Sequence, residues 1–197
     1  MTDTKKMFFT AVLTAASLPL ASQELWDPHL KLTAGIATNV EGNYIAQNKA
    51  YGLALAGVYP ITVRGATVFE GGYKFMPPTS QTYGMTSVDD KTDVYYVGAM
   101  YRHWLWRDGI YLQVGARGTN ARTVRITTYK GVGENGSDLW ERSKAPREVK
   151  TGWCYGAGYR LTSLWSFELT ASSVGFKNIS GTQTNGTFVE AALLIHR

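Results

Sequence analysis

Apolar and polar side chains alternate with a period of two along most of this chain. The most regular stretch is residues 110–119. It sets Ile110, Leu112, Val114, Ala116 and Gly118 on one face and Tyr111, Gln113, Gly115, Arg117 and Thr119 on the other. Successive side chains of a strand point to opposite sides, so this spacing predicts a strand with one apolar and one mixed, partly charged face. The preceding residues do the same, with Tyr95, Val97, Ala99 and Tyr101 opposite Tyr96, Gly98, Met100, Arg102 and Trp104. Asp108-Gly109 between the two arms is a tight-turn pair, because Gly tolerates positive φ and Asp can bond its own backbone. Similar alternation recurs at residues 29–37, 51–59, 65–76, 151–161, 165–172 and 189–196. Eight strands of about nine to twelve residues are expected. Past Asn120 the pattern frays, but Val124 and Ile126 still share a face with Arg122, so this strand should run on beyond its apolar zone.

The connections alternate in length. Long polar segments at residues 39–50, 77–92, 125–149 and 179–186 alternate with short turns near 60–64, 107–109 and 162–164. Repeated pairing of sequence neighbours, up and down, segregates long loops to one end and tight turns to the other. The fold class expected is therefore all-β: a closed up-and-down antiparallel barrel, transmembrane, of eight strands.

Which face looks inward is decided by size. The mixed faces carry Lys31, Glu70, Lys74, Arg102, Gln113, Arg117, Arg160, Glu168 and Glu190 among many glycines and alanines; the apolar faces carry Leu, Val, Tyr, Phe and Trp. Eight strands enclose room for only modest side chains, and the aromatic set would not fit. The inverted arrangement fits: small residues inside leave space for long charged side chains, and bulky apolar residues face hydrocarbon. Five basic against three acidic groups nearly balance, so they are expected to form an ion-pair network in the lumen, since a buried charge without a partner is costly. Closure also satisfies every backbone hydrogen bond, as a membrane demands. Aromatics gather near strand ends. Tyr59, Trp104, Trp106, Tyr111, Tyr159 and Trp165 lie beside the short turns; Phe75, Tyr95, Trp153 and Tyr155 lie toward the long loops. Two such girdles mark a transmembrane barrel.

On these features residues 28–197 resemble the eight-stranded outer-membrane barrels of Gram-negative bacteria, of the OmpA transmembrane domain and OmpX kind. The resemblance implies termini and short turns in the periplasm and long loops outside. It also implies contact with outer-membrane lipids, lipopolysaccharide and the outer-membrane assembly machinery, and a monomer.

Composition adds bounds. The chain has 197 residues, 21 of them Gly and 12 Tyr, with 13% aromatic and 18% charged residues, which suits one tightly curved β domain. The net charge of +5 falls to about +4 without residues 1–23. This mild excess, with no basic cluster interleaved with aromatics, argues against nucleic acid. Lys5 and Lys6, the apolar run Met7 to Leu20 and the small residues after it form a secretory signal over 1–23, leaving 24–197 as the barrel domain. No later stretch approaches 18 consecutive apolar residues, so no transmembrane helix is expected. A single cysteine, Cys154, permits neither an internal disulfide nor a cysteine metal site.

Chemistry is sparse. The three histidines are His29, His103 and His196. His29 and His196 fall at the ends of the first and last strands and read as a structural or interfacial pair. Barrels of this kind include enzymes acting on lipid A, but no serine stands at the spacing from His103 that the deacylases among them use. No catalytic residue, cofactor or metal is therefore expected. Arg122 and Arg125, with the charged segment 131–149, are candidates for lipopolysaccharide phosphates or an external partner. The expected role is structural or surface-interacting through the long loops. A narrow porin-like channel is the alternative, and a lipid A-modifying enzyme a more distant one.

Overall fold

The computed structural model describes residues 27–38, 49–105, 109–177, 179–181 and 183–196. The expected export signal, most of the 39–50 loop, Trp106 and Asp108 lie outside the described residues.

Nine strands follow in chain order. They are β1 (Asp27–Thr38), β2 (Lys49–Thr62), β3 (Gly65–Tyr83), β4 (Thr86–Trp104), β5 (Ile110–Tyr129), β6 (Leu139–Lys144), β7 (Glu148–Arg160), β8 (Trp165–Lys177) and β9 (Gln183–His196). All pairings are antiparallel. β1 pairs β2 on one side and β9 on the other. Residues 110–121 of β5 pair β7, and residues 124–129 pair β6. Eight strands thus form a ring, closed by β1 against β9, with β6 as a ninth strand beside the upper part of β5. Closure leaves no exposed ladder within the ring.

The two faces are sorted as size dictates. Leu32, Leu53, Leu55, Phe69, Val97, Tyr101, Leu112, Val114, Phe167, Leu169 and Val189 stand on the outer surface. An apolar surface of this extent, encircling a barrel, is matched to hydrocarbon and not to water. Inside, the layers are mixed. Toward the long-loop end Ala37, Ala50, Met76, Val94, Ala121, Val174, Phe176 and Phe188 form one apolar cluster. A second joins Ala56, Val58, Ala66, Val68, Met100 and Cys154, with Trp104 packed against it. Cys154 sits buried, its thiol 3.6 Å from the Met100 sulfur.

Two strands, β3 and β4, are far longer than the span expected from sequence, and β5 runs on past its apolar zone as its pattern predicts. β3 and β4 have 19 residues each and β5 has 20, against about 9–11 for a strand that only crosses a bilayer. Residues 77–92, expected as a polar loop, are paired strand closed by a tight turn at Gly84-Met85, with Gly84 at φ +59. The segment 125–149 is likewise strand to Tyr129 and again from Leu139. Together residues 79–83, 86–90, 125–129 and 139–144 make a four-stranded sheet continuing the barrel wall.

Its base is drawn by proline. The β3–β4 register shifts between Met76 and Thr79, across Pro77-Pro78. On the other flank Pro146 separates β6 from β7, just past Ala145, whose N–H still donates to the Thr123 carbonyl. Met76 pairs Thr92 and Thr92 pairs Thr123, so both breaks fall at one level across the four strands. Proline removes a ladder donor and is tolerated at such bulges on outer strands, where it bends the sheet.

Candidate functional site

Two features could carry function: the charged lumen and the projecting sheet. The charged lumen is built from alternate residues of six strands, β1, β3, β4, β5, β8 and β9. Lys31 Nζ lies 3.2 Å from Glu70 and 2.6 Å from Glu168. Lys74 Nζ meets Glu190 at 2.5 Å. Arg102 pairs Glu168 at 2.5 Å and donates to the Gln113 side-chain oxygen at 3.2 Å. Arg117 donates through Nε to Glu70 at 2.9 Å, through Nη2 to the same carboxylate, and through Nη1 to Ser172 Oγ at 2.8 Å and Glu190 at 3.4 Å. Four cations and three carboxylates therefore share one buried network. Arg117 is its hub and is 1% exposed, a degree of burial a guanidinium tolerates only with partners on most of its donors.

Two tyrosines line the network. The Tyr96 ring lies 4.5 Å from both Lys74 Nζ and the Arg117 guanidinium carbon; the Tyr111 ring lies 4.0 Å from that of Arg102. The Tyr111 hydroxyl donates to Glu168 at 2.9 Å. The tyrosine faces supply the cations with negative quadrupole charge where carboxylates do not reach. Glycine makes room for them. A side chain at Gly72 would meet the Tyr96 ring at 2.6 Å, and one at Gly158 would strike the ring of Tyr111. Tyr96 OH, Gln113 Nε2 and Glu190 Oε1 are buried without a protein partner, valences that hydration of the lumen would satisfy.

The structure corrects the sequence expectation at three positions. Arg160 is exposed: its guanidinium donates to the Thr162 and Ser163 carbonyls at 3.3 Å, so it caps a short turn instead of joining the network. Tyr111, expected in the outer girdle, points into the lumen. It shares the parity of Gln113 and Arg117, and that parity was the signal to follow. Trp104 likewise shares the parity of Arg102 and packs against the inner cluster, 6.3 Å from Tyr111. Tyr59, Phe75, Trp153, Tyr155, Tyr159 and Trp165 stand on the outer surface. Tyr95 lies on the same side, its ring 5.0 Å from that of Tyr73. Lys31, Lys74, the other two arginines, the three glutamates and Gln113 are the residues that the structure brings together.

The projecting sheet carries both arginine candidates at its base. Arg125 is held by Asp90 through two hydrogen bonds of 2.8 and 2.7 Å. Arg122 is half-buried, with Nε enclosed. Tyr83 and Met85 at one tip and Trp140 near the other are exposed. Among the described residues β6 pairs only with β5.

At the short-turn end a smaller cluster goes beyond the sequence reading. His29 and His196 are register partners across the β1–β9 seam, their rings 4.9 Å apart. Ser166 Oγ is 2.6 Å from His196 Nε2, and His196 Nδ1 is 3.3 Å from Asp27 Oδ2.

No protein-family model matches the chain, and no curated protein matches its sequence. Solved structures do. The attachment invasion locus protein Ail of Yersinia pestis superposes with a TM-score of 0.50 at 8% identity, over 87% of this chain and 97% of that one. Neisserial surface protein A superposes with a TM-score of 0.50 at 13% identity, over 86% of this chain and 96% of that one. At such identities the likeness is one of fold. With the ring of eight strands, the polar lumen and the apolar exterior, it makes the chain an eight-stranded antiparallel β-barrel of the outer-membrane kind.

Proposed function

We propose that the chain is exported to the bacterial outer membrane and works there as a surface-interaction protein. It presents the projecting sheet to an external protein, while the lumen network holds the barrel shut. The observation that carries this reading is the projection itself. β4 and β5 continue for several residues past the proline level, which at about 3.3 Å per residue carries them ~20 Å further along their own length. Crossing the bilayer alone asks for only about 9–11 residues per strand. Tyr83, Met85 and Trp140 offer the apolar anchors typical of protein interfaces. The outer edge of β6 offers a row of backbone groups on which a partner strand can pair. The two fold neighbours are named for attachment and for the cell surface, which agrees with this reading without carrying it. Arg122 and Arg125, at the foot of the sheet, would meet lipopolysaccharide phosphates, Arg125 in competition with Asp90.

Orientation tests it. Ser80→Cys in the sheet and Thr162→Cys in a short turn are labelled on intact cells with a membrane-impermeant maleimide; the native Cys154 is buried. Label on the first and none on the second is expected. The reverse pattern, or fractionation away from the outer membrane, would overturn the proposal. A changed lipid A mass on expression would favour the enzymatic reading instead.

A further inference from the structure

We propose that Asp27, His29 and His196 form a binding site for a borderline divalent cation of the zinc type, which clasps the seam where the barrel closes. Asp27 and His29 belong to the first strand of the ring and His196 to the last, and His29 faces His196 in the β1–β9 register. One ligand atom from each of the three lies within 4.8 Å of the others. On a tetrahedral zinc with bonds of about 2.0–2.1 Å, ligand atoms stand roughly 3.3 Å apart, so side-chain adjustment alone closes the site.

Independent of that convergence is the state of His29. The residue is 3% exposed, and Nδ1 lies 3.1 Å from the Asp27 carbonyl oxygen. A carbonyl only accepts, so Nδ1 carries the hydrogen and Nε2 is left with its lone pair outward. That Nε2 is buried and has no hydrogen-bond partner. A ligating histidine is ordinarily prepared in this way, its other nitrogen donating to a backbone carbonyl or carboxylate. His196 is oriented from its far side by Ser166, buried at 1% exposure. Two imidazoles and one carboxylate suit zinc and its neighbours, not calcium or magnesium, and leave a position for water. The same atoms trace a Ser166–His196–Asp27 relay, but a serine so enclosed offers no approach for an acyl group. The site is also independent of the proposed surface role.

The test uses the full barrel refolded in detergent and stripped with chelator. Zinc is titrated by calorimetry, and cobalt is added for its visible absorption. One zinc per chain is expected, with the absorption of a tetrahedral nitrogen–oxygen site and a rise in the temperature at which the compact gel band is lost, since a ligand bound only by the folded state stabilises it. His29→Gln should weaken binding more than tenfold. Asp27→Asn, at a partly exposed position where folding is not at stake, should do so too. His103→Asn, at an exposed histidine outside the cluster, should leave affinity unchanged. Absence of stoichiometric zinc in the native barrel, or equal affinity in the native, His29→Gln and Asp27→Asn proteins, would overturn the site and leave a plain histidine pair.

Discussion

Arg117 touches Glu70, Glu190, Ser172 and the Tyr96 ring, and its replacement shows what the lumen network contributes. Arg117→Met keeps the volume but leaves Glu70 with Lys31 alone and Glu190 with Lys74 alone. Removing one member of a buried ion network costs about 3–5 kcal/mol, because the remaining charges stay desolvated. Urea unfolding of the barrel in lipid vesicles should register a loss of that order; a loss under about 1 kcal/mol would mean that water already fills the lumen around these groups. Steric fit adds a second residue-level test. Gly158→Ala forces Tyr111 off the wall and away from Glu168 and Arg102, an overpacking cost of about 1–3 kcal/mol. Gly71→Ala is the control, since its added carbon meets nothing closer than 3.8 Å and should shift stability by less than ~0.5 kcal/mol. Network residues were legible from alternation and from the mismatch of size between faces. Arg160 was not: its parity is inward, but at a strand end the turn carbonyls of Thr162 and Ser163 outcompete distant carboxylates. His29 and His196 were legible as a pair. Their convergence with Asp27 and Ser166 depends on three strands meeting at the seam, which no local spacing encodes.

At the scale of elements, the barrel strands were legible and the projecting sheet was not. In the belt one face meets hydrocarbon and the other the lumen, so composition alternates. Above the prolines both faces meet water and that contrast disappears. Residues 123–129 read Thr-Val-Arg-Ile-Thr-Thr-Tyr, rich in β-branched and aromatic residues, and that propensity was the surviving signal. The sheet is also separable. Its prolines interrupt the ladder at its base, and the barrel ring below is closed by other pairings. Replacing residues 79–90 with Asn-Gly should therefore leave a barrel that refolds and still shows the compact, heat-sensitive band on gels. Failure to form that band would show that the sheet is needed to complete the ring. Trp140→Ala should leave refolding unchanged while weakening capture of the external protein proposed above by an amount typical of an aromatic anchor, about 2 kcal/mol or ~30-fold in Kd. An unchanged Kd would move the contact to another part of the sheet.

At the scale of the whole molecule, conduction through the lumen turns on two obstructions in series. One is the charged network. Its four cations and three carboxylates hold one another, with Lys31, Glu70, Lys74, Arg117, Glu168 and Glu190 all nearly unexposed. The other is the apolar cluster toward the long loops, where the Phe176 and Phe188 rings meet edge to face at 6.0 Å. The two are joined, since Lys74 Nζ sits 4.6 Å from the Phe188 ring. Loosening the network alone, as in Arg117→Ser with Glu190→Ser, wets the middle of the lumen but leaves an apolar constriction above it, which blocks ions by excluding water. Removing Phe176 and Phe188 alone opens the upper lumen but leaves paired charges filling the middle. In planar bilayers the native barrel and each of these double variants should give no steady current. The four-fold variant, with both layers removed, should give discrete openings if it retains the compact band. Steady current from the native barrel would return the chain to the narrow-channel reading and make the projecting sheet its vestibule. Current from either double variant would show that one layer alone had sealed it.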